Sequence, residues 1–554
     1  MLHAVVIKGC FQDSVTLMVV SRDLSANPQV NRVSVMMGTP ANKSVFRETG
    51  LWHAALDAAT PNDLCIVVDS EASDPATADA MAEAVSARLA ELARGKRTAG
   101  YPVARSWRRA QQLLPEANIA LISVAGHYAH EPARQALESG CHVMIFSDNV
   151  SLEKEIELKT LAREKGLLLM GPDCGTAIVN QAPLAFANRI PTGAIGVVGA
   201  AGTGIQEVTS QIARLGGGIT HALGLGGRDL SERVGGISAL TALDFIAQDP
   251  ASRVIVFISK PPAASVKERI LATLQAIGKP AVALFLGERV IARNVGNVHF
   301  TQTLDETAAL AVELAGIDSR LAILPDVSGT TICGLYCGGT LAAEAAFLLA
   351  ERLAVETDAA HPDGVMLHAL GHRIIDLGDD SYTRGRPHPM IDPSSRNDVI
   401  AKLSDDPAVG VLLFDVVLGY GGHLDPAGEL ARAVGELRLA RGAAAPLVVI
   451  ATLTGTIGDP QDLAGQTRAL EDAGIIVAES VRAAVLLAAS AVSAKPASAG
   501  EAPPLLRETP AVINIGLRGF ADDLLHNSVR VVHQQWEPAA GGNERLQRLL
   551  AQLN

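Results

Sequence analysis

The sequence predicts an α/β protein made of tandem doubly wound domains with a small α/β domain in front. Three observations carry that expectation. Short apolar runs alternate with segments of helical periodicity along most of the chain, as strand–helix–strand units require. The apolar runs are continuous, which is the pattern of strands covered on both faces. One pattern of strand, Gly-rich turn and helix also occurs twice, beginning at Gly193 and again near Thr331.

The 554 residues exceed a single core, because domains run to ~100–200 residues each. Hydrophobic residues make up 48% and charged residues 19%, which excludes disorder over most of the length. Lys and Arg number 46 against 59 Asp and Glu, a net charge of −13 with no basic block. Nucleic acid and anionic membrane surfaces are therefore not expected partners. The N-terminus breaks its apolar run at Lys8–Ser14 and lacks the features of a signal peptide. No stretch of 18 apolar residues predicts a membrane span. The six cysteines are sparse, which suits a reducing cytoplasm. Cys333 and Cys337 form a C-x3-C pair, but no second pair has ligand spacing, so no metal is expected.

HAVVIKG, RVSVMMG and DLCIVVD predict strands, and TADAMAEAVSARLAELARG a helix, giving a small domain over 1–97. The basic stretch Arg94–Trp107 reads as a linker. From Asn118, NIALISVAG, PARQALESG, HVMIFSD, SLEKEIELKTLAREKG and LLLMGPD alternate strand and helix to residue 192, so the strands should pair in parallel. A complete doubly wound pattern follows over 193–318, from GAIGVVG to PAVALFLG, and repeats over 328–492. After the Ala-, Pro- and Ser-rich Ser493–Arg507, the segment 508–554 closes the chain with VINIGLRGF, RVVHQQW and ERLQRLLAQLN.

Four loops could carry chemistry. Gly199–Gly204 (GAAGTG) follows a strand and opens a helix, where Gly202, Thr203 and Gly204 would offer unpaired N–H groups to an anion. Its duplicate, Tyr336–Thr340, offers Gly338, Gly339 and Thr340 in the same way. Together they predict two helix starts facing one phosphate-sized anion. The bland alternative is a pair of tight turns. Gly171–Thr176 ends a strand with Asp173 and Cys174, where open α/β sheets bind ligands, or it is a rigid connection between domains. Arg384, Arg386 and His388 share a Pro-restricted loop suited to a phosphate or carboxylate, or to pairing with neighbouring acids. Glu207, one turn into the first of these helices, could orient a reacting group or merely complement the helix dipole.

Several strings resemble known proteins. GPDCGTAI resembles the α subunit of succinyl-CoA synthetase, whose equivalent begins GPNC. GAIGVVGAAGTGIQEVTSQ and GLGG resemble that subunit's ligase half, and Thr331–Leu487 resembles the C-terminal domain of its β subunit. IKGCFQDSV, SVMMGTPANK, GLGGRDLS, CGLYCGGTLAAEAA, GRPHPMIDP and VINIGLRGF together resemble the FdrA family along essentially the whole chain. The resemblance implies a Rossmann-like CoA-binding-type domain at 118–192 and two succinyl-CoA synthetase-like, flavodoxin-type domains after it. FdrA-type proteins are acyl-CoA synthetase-like. One branch resembles the large subunit of oxamate carbamoyltransferase, which works with two other subunits in allantoin catabolism.

Two parts of a nucleotide-dependent synthetase are missing. No segment has room for an ATP-grasp domain, and His299 lacks the glycines of the phosphohistidine motif G-H-[AS]-G-A. The expectation drawn from this is carbamoyl transfer between oxalurate plus phosphate and oxamate plus carbamoyl phosphate. In it Arg384 and Arg386 clamp the anion, His388 protonates the leaving nitrogen and Glu207 orients the site. No cofactor is required, CoA is a further candidate ligand, and two other subunits or a second copy are the expected partners. The alternatives are a partner-dependent acyl-CoA synthetase subunit and a non-catalytic scaffold.

Overall fold

The computed structural model describes residues 2–538, apart from 11, 13, 27–29, 71–75, 96–99, 322–326, 328, 357–361, 443–444 and 493–500. The closing stretch ERLQRLLAQLN, 544–554, lies outside them.

The N-terminal unit runs β1 (Leu2–Ile7), α1 (Ser14–Ser25), β2 (Arg32–Met37), α2 (Pro40–Glu48), β3 (Leu64–Asp69) and α3 (Ala76–Gly95). Its sheet has the order β1-β3-β2, with β3 antiparallel to both neighbours. Alternation along β3 supplies two cores at once: Leu64, Ile66 and Val68 face Leu17 and Val20, while Cys65 and Val67 face Phe46 and Leu56. Thr39 caps α2 by accepting the N–H of Asn42, and Pro40 fills the first helical position.

The chain then gives β4 (Val103–Ala104), α4 (Trp107–Leu113), β5 (Ile119–Ile122), α5 (Gly126–Glu138), β6 (His142–Ile145), α6 (Leu152–Glu164) and β7 (Leu169–Met170). A hairpin follows, β8 (Thr176–Val179) and β9 (Ala182–Ala185). The first repeat comprises β10 (Thr192–Gly199), α7 (Gly202–Arg214), β11 (Ile219–Gly224), α8 (Ile237–Gln248), β12 (Val254–Ser259), α9 (Ala264–Ile277), β13 (Ala281–Phe285), β14 (Asn294–Val295), β15 (Val298–Thr301) and α10 (Leu304–Leu321). The second has β16 (Thr331–Tyr336), α11 (Gly339–Leu353), β17 (Val365–Ala369), β18 (His372–Asp376), β19 (Val409–Val417), β20 (Val448–Thr454) and β21 (Ile476–Ala478). Strands β22 (Ala511–Ile515) and β23 (Arg530–Gln534) complete the described chain.

Sheet topology shows the duplication directly. The parallel strands of the first repeat lie in the order β11-β10-β12-β13-β15, and those of the second in the order β18-β16-β19-β20-β21. Numbered along the chain, both read 2-1-3-4-5, the flavodoxin-like winding. Each sheet carries antiparallel additions: β8, β9 and β14 on the first, β17 on the second. Strands β10–β13 are buried over most of their length, because helices cover both faces.

The remaining sheet, β4-β23-β22-β5-β6-β7, is parallel throughout. Read from β7, its order is 3-2-1-4-5 with β4 outside, the Rossmann winding. It is therefore built from two stretches far apart in the chain, 103–170 and 511–534. Strands β22 and β23, read from sequence as a separate closing segment, lie beside β5 and finish its sheet. The two repeats meet through helix Val481–Val492, where Arg482 pairs with Glu313 of α10 at 3.5 Å.

Candidate functional site

A cleft of about 390 Å³ opens at the carboxyl ends of β10, β11 and β12. In a 2-1-3-4-5 sheet the winding reverses between β10 and β12, which is where ligands enter such folds. Three loops wall the cleft, 173–176, 199–205 and 224–227, joined by Lys260 just after β12, Leu286 and Leu304. It thus joins two loops singled out from sequence, GAAGTG and GPDCGT, with the GLGG turn.

Backbone geometry explains the sequence of these walls. The N-cap of α7 is Ala201, which has no side chain able to take the first-turn N–H groups, so Gly202, Thr203 and Gly204 present theirs to the cleft. Gly226 has φ +80°, and a Cβ there would stand 2.0 Å from the Pro172 carbonyl, so only glycine lets the two loops touch. At Gly224 a Cβ would overlap the Cys174 sulfur at 2.5 Å. Cys174 is accordingly a packing residue. Its buried thiol faces the Thr176 carbonyl, and burial pushes its pKa up to about 12.

The charged side chains lining the cleft are Asp173 and Lys260. Asp173 adopts left-handed backbone (φ +58°), and its N–H donates to the Ser147 carbonyl at 2.9 Å. Partial burial raises its carboxyl pKa, Asp148 adds to the rise, and Arg228 and Lys260 oppose it. Lys260 was not singled out from sequence. Its signal was there, a lone cation immediately after the apolar strand RVIVFIS.

The second Gly loop does not share this cleft. Cys337 and Gly338 donate their N–H groups to the carboxylate of Asp415, at 2.7 Å each. A Cβ on Gly339 would meet the Asp376 carboxylate at 2.7 Å. The N–H groups just before α11, those of Cys337 and Gly338, are therefore matched to an internal carboxylate, and Gly339 packs close to another. Asp415 is fully buried and lies 3.6 Å from the buried guanidinium of Arg396. Of the two helix starts expected to face one anion, that of α7 lines the cleft, and Gly338, Gly339 and Thr340 are not among its lining residues.

The other expected catalytic residues also lie elsewhere. Glu207 sits on the outer side of α7, accepting from Gln211 at 2.7 Å and pairing with Arg214 at 3.1 Å. Arg384 is exposed, and Arg386 makes an exposed pair with Asp398 at 3.2 Å. His388 accepts the Met390 N–H at its Nδ1 (3.2 Å) and lies near Asp376. All three belong to the second repeat, and none lines the cleft. His299 is buried between the repeats. Its Nε2 is 3.3 Å from Arg352, which can only donate, so Nδ1 carries the proton and donates to Asn294 at 2.8 Å. Burial, followed by the charges of Arg352 and Arg482, lowers its pKa to about 4.

The two repeats have the fold of CoA-ligase-type domains. A CoA-ligase domain model matches residues 335–491, and a CoA binding domain model matches residues 192–287. The latter falls on the first repeat, not on residues 118–192 where that domain was expected. The chain is 38% identical over 507 residues to the uncharacterized protein YahF of Escherichia coli (strain K12), covering 87% of this chain and 97% of that one. It belongs to the YahF family.

Over 204 residues it is 26% identical to the ADP-forming sulfoacetate-CoA ligase subunit SauD of Bilophila wadsworthia, covering 35% of this chain and 67% of that one. Over 175 residues it is 22% identical to the α subunit of the ADP-forming succinate–CoA ligase of Methanothermobacter thermautotrophicus, covering 31% of this chain and 58% of that one. These matches overturn the carbamoyltransferase expectation, since the relatives with a named activity are CoA ligases.

Residues 1–102 match a model described as the AllF heavy metal-associated domain. The side chains there do not fit a metal. Cys65 is buried in β3, apart from Cys10 in the turn after β1, and no three His, Cys, Asp or Glu side chains group as ligands among the described residues. No helix of the described residues is long and apolar enough to cross a membrane.

Proposed function

We propose that this chain is the acyl-transfer subunit of a partner-dependent acyl-CoA ligase, and that its cleft holds the phosphoryl group of an acyl phosphate. The observation that carries the reading is the uncapped start of α7 opening onto a cleft whose cation is Lys260. Amide groups and an ammonium together suit a phosphoryl group. A volume of about 390 Å³ suits a small acyl phosphate.

Thioester formation would proceed as the CoA sulfur attacks the acyl carbon and the bond from that carbon to the phosphate oxygen breaks. Inorganic phosphate leaves against the amides of Gly202–Gly204, and the thiol proton goes to a base. Asp173 is the carboxylate on the cleft wall, and its raised pKa brings it closer to that task. The family matches over 192–287 and 335–491 support CoA as the acceptor. A separate chain would supply the ATP-grasp module and the phosphorylated histidine. The motifs shared with FdrA-type proteins support the narrower assignment to that family.

Calorimetric titration of the purified chain with CoA, acetyl phosphate and inorganic phosphate tests the reading. Both phosphates should compete for one site, and CoA should bind. Absence of binding by all three overturns it.

A further inference from the structure

A cluster of fully buried charges lies behind the cleft wall, where the Rossmann-wound unit meets the first repeat, outside the proposed chemistry. Lys159, on α6 of the Rossmann-wound unit, is fully buried. Its ammonium lies 3.0 Å from Glu155 and 2.6 Å from Asp229, and it donates to the Leu225 carbonyl at 3.3 Å. Both carboxylates are buried as well, and each has a further partner. Glu155 is 2.7 Å from Arg228. Asp229 accepts the N–H groups of Ser238 and Ala239 at the start of α8, at 3.1 and 2.9 Å. Arg228 also donates to the Val150 carbonyl at 2.7 Å, back on the Rossmann-wound unit. The turn 225–229 is thus bolted to a different unit from the strand that leads into it.

We infer that Lys159 is a positioning residue, which sets the Leu225–Gly227 wall of the cleft through its bond to the Leu225 carbonyl and its pairing with Asp229. Leu225, Gly226 and Gly227 line the cleft, and the Leu225 N–H donates to the Gly199 carbonyl at 3.0 Å, next to the start of α7. The distance between the GLGG wall and the anion-facing amides therefore depends on an ammonium that bonds the wall from behind and does not itself line the cleft. Charged pairs in a dry interior hold their geometry tightly, because any displacement leaves a charge uncompensated. The effect on ligand binding rests on the reading of the cleft as a phosphoryl site. The effect on the turn does not.

The test uses the charge-balanced variant Lys159→Met/Glu155→Gln, which removes one positive and one negative group and leaves Asp229 on α8 and Arg228 with an acceptor. Amide hydrogen exchange on the full chain is the first readout. The amides of 225–229 should exchange faster than in wild type, while those of β10 and β12 keep their protection. Phosphate affinity is the second, and it should fall about tenfold to a hundredfold, as displaced binding groups typically cause. Unchanged exchange at 225–229 overturns the inference. Faster exchange with unchanged phosphate affinity also overturns it, since the network would then hold the turn without setting the cleft. If wild type binds no phosphate, the functional reading fails, and the exchange result alone decides whether Lys159 sets the wall.

Discussion

Asp415 caps Gly338. Its carboxylate takes the N–H groups of Gly338 and of Cys337 before it, so the second repeat carries its own carboxylate in the turn that leads into α11. One duplicated motif thus stands in two settings, once on the wall of a cleft and once beside a buried carboxylate. Replacing Asp415 with Ala should leave Arg396 buried without its partner. The expected cost is about 3–5 kcal/mol, the usual range for breaking a buried pair. Urea denaturation of the variant checks this, and a loss under about 1 kcal/mol would count against the buried pair.

The cleft should respond to charge changes in the first repeat and not in the second. Lys260→Ala should weaken phosphate binding by about 1.5–3 kcal/mol, the worth of a charge-assisted contact, with little change in melting temperature. Gly339→Asp should leave phosphate affinity unchanged, because Gly339 is not among the residues lining the cleft. Titrating both variants against wild type separates one anion site from two.

His299 should remain unlabelled when the chain alone is incubated with γ-labelled ATP. Arg352 donates to its Nε2, and Asn294 accepts from its Nδ1, so neither nitrogen is free to attack a phosphoryl group. Acid-labile label on this residue would return the phosphohistidine role to this chain.

The same histidine makes stability fall as the solution is acidified. Its pKa is lowered to about 4 in the folded protein against an ordinary 6.5. Between those values the unfolded chain binds a proton that the folded chain refuses, so stability drops as pH falls from about 6.5 towards 4. A shift of this size corresponds to on the order of 3 kcal/mol. His142 behaves similarly, with burial lowering its pKa to about 4. His299→Gln should therefore reduce the slope of stability against pH in this window without abolishing it. Unfolding measured at several pH values tests this.

Arg386 is paired across solvent with Asp398, and both side chains are more than half exposed. Exposed pairs contribute ~0–1 kcal/mol. Arg384→Lys and Arg386→Lys should fold normally and bind phosphate as wild type does. A large loss of binding in either would restore the loop to the site.

The repeated winding was legible in the sequence because GAIGVVG–GAAGTG and TICGLY–CGGT place the same turn after the same kind of strand. Two walls of the cleft, GPDCGT and GAAGTG, were legible for the same reason: glycines cluster where backbones approach. The third, GLGG, was visible as a motif, but its contact with Pro172 depends on how two units meet. The pairing of the second Gly loop with Asp415 was missed, although Asp415 is an acid inside the apolar run VGVLLFDVVLG. Such a residue must have a buried partner, and no local pattern names Cys337 and Gly338 as that partner. The union of β22 with β5 was beyond reach for a related reason. The hydrogen bond from Asn118 to Thr509 spans 391 positions, and nothing in either strand records the other.

That union has a consequence for the chain as it is made. Strand β5 leaves the ribosome with one side of its backbone unpaired, and its partner β22 is still hundreds of codons away. At ~5–20 residues per second the wait is on the order of 20–80 s, during which both flavodoxin-like units can fold in full. The Rossmann-wound unit must therefore stay half-built while its neighbours mature. Its exposed strand edge is a natural place for a chaperone to hold the nascent protein, and for nascent copies to associate wrongly if none does.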